Sequence, residues 1–92
     1  MARSIVQNYK ECFFCKTTLG LHKHHIFGGA NRKLSEKYGL WVYLCVYHHT
    51  GSNDSVHLNR EIDIGLKRYA QIRFERKHTR EEFIEIFGKS WR

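Results

Sequence analysis

Four residues with zinc-binding side chains stand in two pairs of identical spacing. Two residues separate Cys12 from Cys15, and the same spacing recurs about thirty residues later in Cys45 and His48. Thiolate and imidazole are the usual ligands of tetrahedral structural zinc, and this spacing places two ligands on one side of a tight turn. Cysteines that only pack in a core need neither paired spacing nor a nearby histidine. The sequence therefore predicts a structural Zn²⁺ site.

The chain has seven histidines, more than one zinc site uses. Side chains alternate along a strand, so His22 and His24 would share one face while His25 points to the other. A neutral imidazole near pH 7 can bind a transition metal or accept a proton. Hydrolysis of a phosphodiester needs both a divalent cation to neutralise charge and a base to activate water. The adjacent pair of histidines is therefore expected to have two different roles.

These motifs, in this order, resemble the zinc-containing HNH endonucleases common in phages. The resemblance covers residues 12–57 and consists of Cys-x2-Cys, the doublet His24-His25 and the segment Leu-Cys-x2-His-His. It implies a ββα-metal core in which His24 binds a catalytic cation, His25 is the general base and His49 is a second ligand. It also implies DNA as the partner and products with a 5′-phosphate.

Other positions leave alternatives open. His57 could return to the same cation, with Asn53 as the competing ligand, whereas His22 would support the ligands or be exposed. His78 is expected to be solvated. Many relatives have Asp where this chain has His24, so Mn²⁺, Ni²⁺ or Zn²⁺ competes with Mg²⁺ as the catalytic cation.

The first half of the chain supplies the elements that would position these residues. Leu19 to Phe27 is predicted to be a short strand after a turn at residues 15–18, and the apolar segment 40–44 is predicted to be a second strand by its content of β-branched and aromatic residues. The connection between them, residues 28–39, is predicted to be a loop that reaches the DNA backbone. Its basic residues are Arg32, Lys33 and Lys37. The family's asparagine before the second strand is missing, so a backbone carbonyl or Asn31 would orient the His25 ring.

The second half has helical spacing. Ile62, Leu66, Tyr69, Ala70 and Phe74 recur at steps of three and four and predict one amphipathic helix with basic residues toward solvent. A capping box at Thr79 and Glu82 predicts a second helix, which buries Phe83, Ile86 and Phe87 and ends at Gly88. The chain is therefore predicted to be one α+β domain over residues 1–92. It would have a ββα-metal core stabilised by structural zinc at about 10–60 and a helical part at about 58–90.

Charge and composition narrow the function. Sixteen Lys and Arg against nine Asp and Glu give a net charge of +7, which favours a polyanionic partner such as DNA. No apolar segment has the length of a signal peptide or a membrane span. The protein is therefore expected to be cytoplasmic and not bound to a membrane, and the cell could be a phage-infected host. A metal-dependent DNA endonuclease is the leading hypothesis. The alternatives are a non-catalytic zinc module that binds nucleic acid and a phage protein that blocks a host system. The sequence leaves the oligomeric state and any packaging or recombination partner open.

Overall fold

The computed structural model describes residues 3–92. The first strand, β1 (Leu21–His25), is followed by a short 3-10 turn (Gly29–Asn31) and the helix α1 (Arg32–Tyr38). The second strand, β2 (Trp41–Cys45), leads directly into the four-residue helix α2 (Val46–His49). Two longer helices, α3 (Arg60–Phe74) and α4 (Arg80–Phe87), complete the chain. The predicted α+β class is confirmed.

The two strands form one antiparallel sheet. His24 lies opposite Val42 and His25 lies opposite Trp41. Because side chains alternate along a strand, His22 and His24 share one face of β1, and Lys23 and His25 share the other. Both strands overlap their predicted segments, but β1 is shorter than 19–27 and β2 lies one residue later than 40–44. The two histidines of the doublet therefore lie on opposite faces of β1.

The predicted loop between the strands was wrong, because residues 32–38 form α1. Ser35 is fully buried, and its hydroxyl accepts a hydrogen bond from the backbone N–H of Phe27 (3.0 Å) and donates one to the Phe27 carbonyl (2.8 Å). Gly39 ends the helix in the left-handed conformation, with φ of 71°. Contacts with the end of β1 and a glycine cap therefore stabilise a helix that is too short to show periodicity.

Both predicted C-terminal helices are confirmed. The Asn59 side chain caps α3 by accepting from the backbone N–H groups of Glu61 and Ile62. Thr79 and Glu82 form the predicted capping box of α4, and Gly88 ends that helix in the left-handed region. These caps satisfy backbone N–H groups at the start of both helices.

Aromatic rings join α3 and α4 to the strand region. Phe74 and Phe83 are almost fully buried, with ring centroids 5.4 Å apart, and Phe83 lies 5.4 Å from Phe27 just after β1. Tyr69, predicted for the apolar face of α3, is 38% exposed, whereas Gln71 is fully buried. The Gln71 side chain binds the C-terminal segment, accepting from the backbone N–H of Trp91 at 2.7 Å. None of the helices in residues 3–92 has the length and apolarity needed to cross a membrane.

Candidate metal centres

The predicted zinc ligands come together in the structure. Cys12 and Cys15 lie on a turn closed by hydrogen bonds from the backbone N–H of Cys12 to the Thr17 carbonyl (2.8 Å) and of Lys16 to the Cys12 carbonyl (2.9 Å). Cys45 ends β2, and His48 lies one turn later in α2. The four ligand atoms all lie within 4.8 Å of one another. This cluster of Cys12, Cys15, Cys45 and His48 could therefore bind a metal such as zinc, and we call it the cysteine cluster.

The spacing of the ligand atoms in the cysteine cluster matches a tetrahedral zinc site. Sulfurs bound at about 2.3 Å to one tetrahedral zinc are about 3.8 Å apart, and a sulfur and a nitrogen are about 3.5 Å apart. The observed Sγ–Sγ distance from Cys15 to Cys45 is 3.8 Å. Nδ1 of His48 lies 3.6 Å from Sγ of Cys12 and 3.3 Å from Sγ of Cys45. The donor set and its geometry both fit Zn²⁺.

The electrostatics of the cysteine cluster also favour a cation. Burial alone would raise the pKa of Cys12, but hydrogen bonds from backbone N–H groups, first that of Cys15 and then that of Cys45, lower this pKa to about 6. The pKa of Cys15 is raised: its backbone hydrogen bond with Thr17 acts in the lowering direction, but burial and the neighbouring sulfurs outweigh it. Thiolates are the metal-binding form, and adjacent thiolates repel one another unless a cation lies between them.

A second group contains three histidines, His24, His49 and His57, which we call the histidine cluster. One ring nitrogen from each lies within 4.8 Å of the other two. His24 comes from β1 and His49 from the end of α2. The segment after α2 folds back on that helix through hydrogen bonds from the backbone N–H of Val56 to the His48 carbonyl (2.9 Å) and of His57 to the His49 carbonyl (3.3 Å). Three separate elements therefore meet at one point.

The histidine cluster fits a divalent cation. Nε2 of His49 lies 3.1 Å from Nε2 of His57. Nitrogens bound to one cation at about 2.0–2.1 Å are about 2.9–3.4 Å apart. His24 is buried, and its Nε2 has no hydrogen-bond partner among the described residues. An unpartnered buried nitrogen is costly in a folded protein, so a ligand there is expected.

Burial favours the metal-binding form of two rings in the histidine cluster. Burial, with smaller contributions from His49 and His57, lowers the pKa of His24 to about 3. Burial, followed by the charges of His57 and His22, also lowers the pKa of His49. A neutral imidazole has the lone pair that a metal ligand requires. Both rings therefore present lone pairs at neutral pH.

His22 is exposed and contacts the histidine cluster from outside. Its Nδ1 lies 3.0 Å from Nδ1 of His49. A hydrogen bond to the second nitrogen of a ligating imidazole fixes its tautomer and its orientation. Asn53, the competing ligand to His57, instead accepts a hydrogen bond at its backbone oxygen from Nδ2 of Asn59 (3.1 Å). His57, the other candidate, has its Nε2 3.1 Å from Nε2 of His49.

His25 points away from the histidine cluster's face of the strand and contacts Glu36 on α1. Its Nε2 lies 2.8 Å from Oε1 of Glu36, whose carboxylate also pairs with the ammonium of Lys23 (2.7 Å). The hydrogen bonds of Lys23 first, and then those of His25, lower the pKa of Glu36. The prediction that a backbone carbonyl or Asn31 orients the His25 ring was wrong, because Glu36 contacts that ring. The side chain of Asn31 donates to the carbonyl of Phe87 instead (3.2 Å).

One cavity of about 450 Å³ joins these groups, and we call it the histidine cavity. His25 and all three members of the histidine cluster line it. Three cations, Lys23, Arg32 and Lys67, line it as well, and Lys67 pairs with Asp63 at 2.9 Å. Of the three basic residues predicted to contact DNA, Arg32 lies at this cavity, whereas Lys33 and Lys37 are exposed elsewhere on α1.

One contact of the site was missed from the sequence. Glu36 gives no local signal, because its partner His25 lies eleven residues earlier on another element. His78, outside the site, is exposed as expected, with 39% of its side chain accessible, and its ring also stacks on Phe74 at 4.4 Å between centroids. Comparisons with models of protein families, with curated proteins and with solved structures each find no match to this chain. What the site does must therefore follow from its own residues.

Proposed function

We propose that this protein is a metal-dependent DNA endonuclease of the HNH type, which hydrolyses phosphodiester bonds at the histidine cavity. One observation carries the proposal. A three-imidazole cluster, a fourth imidazole held by a carboxylate, and the cations Lys23, Arg32 and Lys67 all line the same cavity. A protein with only a structural zinc site does not require a second imidazole cluster. A histidine that only packs in the core would have a hydrogen-bond partner for its buried nitrogen, whereas Nε2 of His24 has none among the described residues.

His25 would be the general base. Because its Nε2 faces the Glu36 carboxylate at 2.8 Å, the neutral ring donates from Nε2 and keeps the lone pair on Nδ1. Nδ1 takes a proton from water as the water oxygen attacks phosphorus. The negative charge of Glu36 stabilises the imidazolium that results and holds the ring in one orientation. The bond from phosphorus to the 3′ oxygen breaks, which leaves a 5′-phosphate.

His24, His49 and His57 would hold the divalent cation. Their all-nitrogen donor set favours Ni²⁺ or Zn²⁺ over Mg²⁺, which prefers oxygen ligands. A bound cation would neutralise charge on the scissile phosphate and on the leaving oxygen. Zinc at the cysteine cluster would have a structural role, since it fixes the turn at Cys12 against β2, where the backbone N–H of Phe13 also donates to the Tyr43 carbonyl (2.9 Å).

The cations at the cavity would hold the DNA backbone. Lys23, Arg32 and Lys67 come from β1, α1 and α3, so they can contact phosphates on different sides of the scissile bond. Contacts of this kind carry little sequence information, and we expect cleavage with low sequence specificity.

The experiment is a plasmid-nicking assay. Purified protein is incubated with supercoiled DNA and Mg²⁺, Mn²⁺, Ni²⁺ or Zn²⁺, beside a sample without added cation. His25→Ala is the test variant and His78→Ala is the matched control, because His78 lies between α3 and α4, stacked on Phe74, and does not line the histidine cavity. We expect cleavage that needs both an added cation and His25. Binding without cleavage under every cation would instead identify a non-catalytic zinc module that binds nucleic acid.

A further inference from the structure

A second cavity, of about 520 Å³, lies between the N-terminal segment and the sheet. Three aromatic side chains line it, Tyr9 from the N-terminal segment and Trp41 and Tyr43 from β2. Arg3 and Lys10 line it as well. None of the histidines that form the histidine cluster reaches it, as far as residues 3–92 show. We call it the aromatic cavity.

The rings of the aromatic cavity offer a stacking surface. Tyr9 is 74% exposed, so the face of its ring is open to a ligand. Trp41 and Tyr43 meet edge to face, with ring centroids 5.3 Å apart at 86°. The Trp41 ring is nearly buried and forms the floor, whereas Tyr43 is half-buried and Tyr9 stands at the rim. Aromatic faces of this kind stack on nucleobases with little dependence on sequence.

The charge of the aromatic cavity matches a polyanion. Arg3 and Lys10 are both exposed, and the ammonium of Lys10 lies 5.6 Å from the centroid of the Tyr43 ring. The described residues that line this cavity include no Asp or Glu. A groove that combines cations with exposed aromatic rings is the arrangement that binds single-stranded nucleic acid. Duplex DNA keeps its bases stacked inside the helix and cannot use such rings.

Lys23 connects the two cavities. It lines the histidine cavity, and its ammonium lies 4.1 Å from the centroid of the Trp41 ring, which lines the aromatic cavity. Trp41 is also the cross-strand partner of His25. The aromatic cavity therefore lies next to the proposed general base, on the same face of the sheet.

We propose that the aromatic cavity binds unpaired nucleotides of single-stranded DNA that continue from the scissile phosphate. Bases stack on Tyr9 and Tyr43, and backbone phosphates contact Arg3 and Lys10. This inference rests on the proposed function in one respect, because the strand cleaved in the histidine cavity is the strand bound here. The preferred substrate is then DNA with an unpaired segment, such as a flap, a gap or an end.

Equilibrium binding tests the proposal without cleavage. The background is His25→Ala, and the probes are a labelled single-stranded oligothymidine and a fully paired duplex, measured by fluorescence anisotropy. Tyr9→Ala should weaken single-strand binding about tenfold and leave duplex binding nearly unchanged. Tyr9→Phe should keep the affinity, because the ring remains. Tyr47→Ala is the matched control, since Tyr47 is 52% exposed and lies on α2, outside the aromatic cavity.

A second variant tests the charge. Lys10→Gln should reduce the salt dependence of single-strand binding by about one phosphate contact, a change of about 0.7 in the slope of log K against log salt. If Tyr9→Ala binds the single strand as tightly as the His25→Ala parent, or weakens both probes equally, the aromatic cavity is not a single-strand site. Cleavage that depends on His25 alongside that result would leave the proposed function intact. Tyr9-dependent single-strand binding without cleavage under any cation would overturn the function and support this site.

Discussion

The Nε2 of His25 and the Oε1 of Glu36 lie 2.8 Å apart and join β1 to α1. The contact depends on the helix that the sequence did not predict, because Glu36 lies one turn before Gly39 ends α1. Lys23 shares the carboxylate, so Glu36 links the proposed base to a cation of the same cavity. A carboxylate at this distance fixes both the tautomer and the direction of an imidazole.

Glu36→Gln should reduce the rate of DNA cleavage about tenfold to a hundredfold. The amide keeps the size of the side chain but removes the negative charge that stabilises protonated His25. The nicking rate should be measured across a pH series, because loss of a charge beside the base changes the pH profile, whereas a general loss of folded protein lowers the rate at every pH.

Glu82→Gln is the matched control for this prediction. Glu82 also contacts a histidine, His78 at 3.4 Å, and glutamine can replace glutamate in the capping box of α4. The control should therefore keep full activity. A Glu36→Gln protein with the rate and pH profile of the wild type would remove Glu36 from the mechanism.

His24→Leu should abolish metal binding at the histidine cluster and spare the fold. Leucine fills a similar volume and removes a buried nitrogen that has no hydrogen-bond partner among the described residues. A cation at one hundred times its dissociation constant stabilises the wild type by about 2.7 kcal/mol, and we expect Tm to rise by about 10 °C or more. Thermal unfolding with and without Ni²⁺ should show this rise in the wild type and not in His24→Leu. An equal rise in both proteins would show that the cation binds elsewhere.

His24→Leu also tests how the free energy of unfolding depends on pH. In the protein without a cation at the histidine cluster, the pKa of His24 is lowered to about 3 by burial first and by neighbouring histidines second, from an ordinary value of 6.5. Between these values the unfolded chain binds a proton that the folded chain does not, so the free energy of unfolding falls as pH falls below 6.5. From pH 7 to pH 5 the loss is about 2 kcal/mol.

Urea unfolding at pH 7 and pH 5 checks this prediction. His24→Leu should lose less stability than the wild type over the same interval, and the difference between the two proteins isolates His24. Any loss of zinc from the cysteine cluster affects both proteins and cancels in the comparison. Equal losses would show that His24 does not titrate as its burial implies.

The motifs with short-range rules could be predicted from the sequence. The spacing of Cys12 and Cys15 indicated a metal-binding turn, and Thr79 and Glu82 indicated the start of α4, because both patterns depend on neighbouring residues. The same reasoning could not find α1. Its seven residues are stabilised by the contact of Ser35 with Phe27, which is a tertiary interaction.

The partners within the site were equally hard to predict. Glu36 reaches His25 only because α1 packs beside β1. The aromatic cavity depends on the N-terminal segment lying against β2, where the Ser4 hydroxyl donates to the Trp41 carbonyl at 2.6 Å. Nothing in the local sequence around Tyr9 or Trp41 specifies that contact. Sequence reasoning found the chemical groups, and the long-range contacts determine which of them meet.

Cys12→Ser should remove zinc from the cysteine cluster and unfold the domain. Cys12 is fully buried, and binding of structural zinc supplies folding free energy comparable to the whole stability of a small domain. Elemental analysis should find less than one zinc per chain, and far-UV circular dichroism should show loss of helix. Cys15→His is the matched control, because Cys15 is exposed and imidazole is also a zinc ligand. A folded, active Cys12→Ser protein would contradict the structural role of the cluster.

Gly39→Ala should destabilise the domain by more than about 2 kcal/mol and disturb the position of Glu36. Gly39 has φ of 71°, and a Cβ there would overlap the backbone carbonyl of Arg3, which cannot rotate away as a flexible side chain could. Gly65→Ala is the matched control, because it lies inside α3 with no atom within 4 Å of the added Cβ. Alanine favours helix over glycine by about 1 kcal/mol, so this control should raise Tm while Gly39→Ala lowers it. If both variants raised Tm, the close approach of Gly39 to Arg3 would not exist in solution.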